Sequence, residues 1–74
     1  MALSRIFIMT LQEYFKDDVR GAKSEMARYL DITPTWMALL IAGLRKPSPR
    51  LAVDIEKATQ GLVTRQELRP DLFA

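Results

Sequence analysis

Apolar residues recur along this chain in short clusters at steps of three and four, most of them opened by a serine or threonine and closed by a glycine or a polar break. That period belongs to amphipathic helices rather than strands. Thr10-Leu-Gln-Glu13 reads as a capping box, in which the threonine hydroxyl accepts from a helix amide and the glutamate reaches back. Leu11, Tyr14 and Phe15 share one face behind it, which predicts a first helix over about 10–17, followed by a break at Asp17–Gly21. Ala22, Met26, Ala27 and Leu30 predict a second helix with a narrow buried stripe. Asp31-Ile-Thr33 interrupts it. Thr33-Pro34 then restarts the pattern, with threonine as N-cap and proline at the first helical position, where its missing amide costs nothing. This third helix runs to about Ala42 and Gly43 terminates it. Ser48-Pro49 repeats the start signal, and Leu51, Ala52, Ile55 and Ala58 predict a fourth helix to about Thr59, closed by Gly61. Thr64-Arg-Gln-Glu67 offers a second capping box for a short last helix or turn, ended by Pro70. Gly61-Leu-Val63 fits a single extended segment with no partner strand.

The predicted fold class is therefore all-α, a compact domain of four to five helices. A chain of 74 residues leaves room for one domain. Its hydrophobic fraction of 49% predicts a real core, not a disordered tail. The expected division is an N-terminal extension over 1–9 and the folded domain over 10–74. Leu3, Ile6, Phe7 and Ile8 make the extension apolar enough to dock on the domain or on a second subunit; a frayed tail is the alternative. As a signal sequence the run is too short, and only one basic residue precedes its core. Nothing later approaches membrane-spanning length, so a cytoplasmic protein without a membrane partner is expected.

Chemistry is limited by what is missing. The chain has no cysteine and no histidine, which removes disulfides, thiolate zinc sites, the commonest metal ligand and the commonest general base. No catalytic residues, metal or cofactor are expected, and the chain reads as a non-enzyme. The net charge of +2 is mild, but its distribution is uneven. Residues 1–22 balance acids and bases, whereas Gly43–Arg50 carries Arg45, Lys46 and Arg50 with no acid. A local excess of this kind suits phosphate, and a solvated loop is the plain alternative.

Three adjoining features carry the functional reading. A short helix holds Ala27 at its middle, a turn of about three residues follows, and a second short helix has a strong start signal. Helices joined so briefly cross steeply, and only a small side chain at their closest approach lets them pack; Ala27 is that residue. Met26, Leu30, Ile32, Met37 and Leu40 are spaced to fill the wedge beneath. The N-terminal half of the third helix then projects outward, as a helix entering a DNA major groove does, while the start of the second faces the phosphate backbone.

Lys23-Ser-Glu-Met-Ala27-Arg-Tyr-Leu30-Asp-Ile32-Thr33-Pro34 resembles the helix-turn-helix of Cro and phage-repressor proteins. The run from Ile55 through Gly61 and Arg65 to Pro70 and Phe73 resembles the C-terminal half of the YdaS-like group of Cro-type prophage regulators, a group that also carries an antitoxin label. The resemblance covers about Leu11 to Phe73. It implies a bundle of four or five helices that represses transcription, commonly as a dimer on two half-sites, with double-stranded operator DNA as partner. Two positions depart from the pattern. Asp31 stands where glycine is frequent at the turn, and the third helix is unusually apolar, with Ala38, Leu39 and Ala42 where relatives often carry Gln, Ser or Asn. Bidentate base readout from Arg, Asn or Gln on this helix is thereby excluded.

The base-facing candidates are Thr33 and Thr35 through their hydroxyls, Trp36 through its indole, and Ala38 and Leu39 through contact with thymine methyls. The phosphate-binding candidates are Lys23, Ser24, Arg45, Lys46 and Arg50. For Trp36 a core or dimer-interface role weighs equally, and for Ser24 a simple helix-start role nearly so. Arg65 and Arg69 stand beside Glu67 and Asp71, so local ion pairs are expected there. A different class of function also fits: an antitoxin-like, protein-binding module that meets a toxin partner through the apolar helix Trp36–Ala42.

Overall fold

Four hydroxyl side chains start four of the helices in the computed structural model, which describes residues 9–16 and 21–73. The helices are α1 Leu11–Tyr14, α2 Ala22–Leu30, α3 Pro34–Ile41, α4 Pro49–Ala58 and α5 Arg65–Leu68. Thr10 accepts from the Glu13 amide at 3.1 Å while Glu13 Oε1 accepts from the Thr10 amide at 2.9 Å, closing the capping box. Thr33, Ser48 and Thr64 accept from the amides of Trp36, Leu51 and Glu67 at 3.0, 3.1 and 3.1 Å. Each such cap is worth about 1 kcal/mol. No strand occurs among the described residues.

α1 is shorter than the sequence pattern predicts. It stops at Tyr14, because Phe15 leaves the helix to bury its ring, at 6% exposure, beside Leu11. The Tyr14 and Phe15 rings meet edge to face at 5.1 Å. The break expected after it falls outside the described residues except for Gly21, as does the predicted extension up to Ile8. Met9, assigned to that extension on sequence grounds, packs against the core and donates its amide to the Leu62 carbonyl at 3.0 Å.

The turn between α2 and α3 pivots on Asp31, which adopts φ 61° and ψ 44°. The amide of Ile32 then returns to the Ala27 carbonyl at 2.9 Å, satisfying the end of α2. This is the left-handed conformation usually given to glycine. Asp31→Gly should therefore raise stability by about 0.5–1 kcal/mol through relief of the left-handed penalty. Thermal denaturation checks this, and a lower melting temperature would mean that the aspartate contributes more than its conformation costs.

The core joins Leu11 and Phe15 of the first turn to Ala27 and Leu30 of α2, Met37 and Leu40 of α3, Leu51 and Ile55 of α4, and Val63. Gly61–Val63, predicted as extended, is a bend instead. Gln60 and Gly61 turn left-handed in succession, at φ 56° and 85°. The buried Thr59 holds the result together. Its hydroxyl donates towards the Ile55 carbonyl at 3.0 Å and accepts from the Val63 amide at 3.1 Å, so a buried donor in the bend is satisfied by a side chain.

Candidate nucleic-acid interface

α2 and α3 pack against each other across the three-residue connection Asp31–Thr33, and Ala27 is buried to 1% exposure in the first of them. A larger side chain there would push the helices apart. Met37 and Leu40 fix the inner face of α3, and Trp36 and Ile41 pack partly against the same core. The outer positions follow from that anchoring. Thr33, Pro34, Thr35, Ala38 and Ala42 are exposed, whereas Trp36 and Leu39 are half-buried.

The two threonines differ in what they can still offer. Thr33 already accepts from the Trp36 amide, so its oxygen is partly committed to the cap. The Thr35 hydroxyl has no hydrogen-bond partner among the described residues. Of the five base-facing candidates, Thr35 thus offers an exposed, uncommitted hydroxyl, and Ala38 an exposed methyl. Leu39 and Ile41 do not form a fully exposed patch; both are half-buried. Large exposed apolar side chains are found elsewhere, at Tyr29, Leu44, Leu62 and Leu72.

Lys23 and Ser24 are exposed on the first turn of α2. That helix is opened by Gly21 at φ 88°, with no side chain to cap it. No side-chain oxygen caps its first amides among the described residues, and Glu25 is the acidic side chain of its first turn. Arg45, Lys46 and Arg50 are exposed too. Arg50 makes only a loose contact with Asp54 at 3.6 Å, its own side chain being 86% exposed. Arg45 and Lys46 have no ion-pair partner among the described residues. Both line a cleft of about 290 Å³ together with Thr10, Gln12, Pro47 and Glu67.

Two arginines lie in a setting that adjacency in the sequence reveals only in part. Arg65 pairs not with Glu67 or Asp71 but with Glu56 of α4, Nε to Oε1 at 2.6 Å, with its guanidinium 5.7 Å from the Phe73 ring. That hydrogen bond holds the Glu56 carboxyl below the usual carboxylate range. Arg69 does pair with Asp71, through two bonds of 3.0 and 2.8 Å. Its Nη1 also donates to the Pro47 carbonyl at 2.8 Å, 22 residues back in the chain. The Arg69 hydrogen bonds draw the Asp71 carboxyl down to about 2. Because that folded value lies below the ordinary one of 3.8, the pair contributes its stability above about pH 4 and loses it as pH falls towards 2.

A second concavity of about 500 Å³ lies between α1, α2 and the end of α4, walled by Tyr14, Phe15, Met26, Tyr29 and Ala58 with Glu25 and Lys57. No sequence signal marked it, since Tyr14 and Phe15 of α1 and its cap meet Tyr29 of α2 there only once α4 closes the third side. No helix among the described residues is long and apolar enough to cross a membrane.

The family model described as bacterial toxin YdaS matches residues 17–74. Over 63 residues the chain is 30% identical to a prophage transcriptional regulatory protein of Escherichia coli strain K12, covering 85% of this chain and 96% of that protein. Over 54 residues it is 41% identical to YdaS of the same strain, described as a transcriptional regulator, covering 73% of this chain. The match spans 55% of that second relative's own length.

Proposed function

The chain belongs to the YdaS-like family of prophage regulators, and on that premise we propose that it is a sequence-specific, DNA-binding transcriptional repressor of Cro type. α3 enters the major groove with Thr35 and Ala38 leading, flanked by Thr33, Trp36 and Leu39. Lys23 and Ser24 hold phosphate at the start of α2, and Arg45, Lys46 and Arg50 hold it beyond α3. The observation that carries this reading is the pairing of an outward-facing α3 start with an exposed basic loop in which neither Arg45 nor Lys46 is engaged in an ion pair among the described residues. Such cations break no ion pair when they turn to phosphate, and Lys46 gives up only its longer-range attraction to Asp71. Two copies act on two half-sites, because one module reaches too few base pairs for useful specificity. No catalysis and no cofactor enter the reading.

With no Arg, Asn or Gln on α3, base readout rests on one open hydroxyl and on methyl contacts. Affinity then comes mostly from phosphate, and discrimination partly from the shape of the duplex. The test is fluorescence anisotropy with labelled duplexes from the gene's own upstream region, against scrambled controls, at two salt concentrations. Preferential and salt-sensitive binding is expected; absence of binding to every duplex at low salt would overturn the reading. Thr35→Ala should reorder the preference among duplexes while changing affinity for random DNA by less than about threefold. Equal loss on all duplexes would remove Thr35 from base readout.

A second reading is favoured by the toxin description of the family model and by the exposed Tyr29 beside the aromatic concavity. In it the protein is a binding module for another protein. Apolar docking of that kind responds weakly to salt, whereas phosphate binding weakens steeply, so the same titration separates the two.

A further inference from the structure

The basic loop between α3 and α4 is anchored by the buried Pro47 ring but has few polar bonds of its own to hold its backbone in shape. Its entry is fixed by the Leu44 amide, which donates to the Leu39 carbonyl at 3.0 Å, and its exit by Ser48, whose carbonyl accepts from Ala52 at 2.8 Å. Between them, Arg45 and Lys46 make no backbone hydrogen bond among the described residues. Pro47 has no amide to give. The one polar tether in the stretch among the described residues is the Pro47 carbonyl, and its donor is Arg69.

Arg69 is built for that task rather than for binding an anion itself. Its side chain is only 19% exposed. Nε and Nη2 are fixed on the two oxygens of Asp71, which leaves Nη1 aimed at the loop. An exposed arginine–aspartate pair two residues apart would by itself contribute little. The third bond is what changes its meaning, because it links the C-terminal turn to the backbone between the loop's two cations and α4. A lysine cannot make three bonds in one plane. Asp71 also lies within electrostatic reach of Lys46, so the tether and the cation are close neighbours.

We propose that Arg69 is a positioning residue: held by Asp71, it fixes the Pro47 carbonyl and so presents Arg45 and Lys46 to a nucleic-acid phosphate backbone. This rests on the DNA-binding reading for its purpose, but the tether itself is testable without DNA. In the whole chain, Arg69→Lys should speed tryptic cleavage after Arg45 about fivefold relative to cleavage after Arg28 within α2, the size of one lost hydrogen bond. Asp71→Asn, which loosens the guanidinium and leaves the Pro47 contact in reach, should give a smaller increase in the same ratio. An unchanged ratio in both variants overturns the tether, and so does equal acceleration at both sites in both variants, since that reports global opening alone. Anisotropy on random duplex then supplies the readout that a merely structural role would not move. Arg69→Lys should weaken binding about fivefold in the native loop and by less than about twofold when Arg45 and Lys46 are alanine. Equal loss in both backgrounds would make Arg69 a direct phosphate ligand and overturn the positioning role. Should the native protein bind no duplex while the cleavage ratio still rises, the tether stands and the DNA reading falls.

Discussion

Replacing Met37 by alanine should lower the melting temperature by at least about 10 °C. The side chain is 1% exposed on the inner face of α3 and belongs to the core shared by all the longer helices. Truncating a buried methionine costs about 2–5 kcal/mol, since transfer energy is lost and the remaining cavity collapses only in part. A domain of this size has roughly 4–11 kcal/mol in total, so the loss is a large share of it. Each kcal/mol moves the midpoint of such a domain by about 4–8 °C. The contrast within the same helix is Ala38, which is exposed. Ala38→Ser should leave stability within about 0.5 kcal/mol and act on duplex preference instead. Circular dichroism melts of the two variants decide the matter; a Met37→Ala midpoint within about 3 °C of the native one would show that α3 is not anchored through this residue.

The second large effect concerns affinity. With Arg45 and Lys46 both changed to alanine, the slope of log affinity against log salt should flatten by about 1.8 units, the release of ions from two phosphates. Between 50 and 200 mM salt the native protein should then lose about tenfold more affinity than the variant. The ranking of duplexes should persist, because phosphate contacts orient the protein without reading bases. The melting temperature should hold as well, since both side chains are exposed and have no ion-pair partner among the described residues. An unchanged slope would make the segment an ordinary solvated loop and shift the weight of the interface to Lys23, Ser24 and Arg50.

The helix starts were legible because they are local. A hydroxyl three residues ahead of an amide can be read from four letters, and Thr10, Thr33, Ser48 and Thr64 all cap their helices. The second capping box is only half made, since Thr64 accepts from the Glu67 amide but its own amide finds no Glu67 oxygen among the described residues. Ala27 was legible for a related reason, as the small residue central to a helix that must approach another closely. The length of α1 was not, because Phe15 satisfies the helical period equally well whether it continues the helix or turns in to the core. Of the arginines' partners only Asp71, beside Arg69, was legible. Arg65 reaches Glu56 and Arg69 reaches Pro47, and both distances in sequence exceed anything that charge spacing suggests. In the candidate site the residue types were readable but their availability was not. Only the structure separates Thr35, whose hydroxyl is open, from Thr33, whose oxygen serves the cap.

Trp36 is the chain's single tryptophan, half-buried on α3 between the core and the outward face. In optical terms this makes the protein its own probe. All indole emission comes from the helix assigned to the groove, so a change in colour or intensity on adding duplex has one address. An indole that is partly covered can respond in either direction, to the blue as water is displaced or by quenching as a base approaches. The interface can thus be followed without a label, and separately from unfolding, which carries the same ring from partial cover into full contact with water.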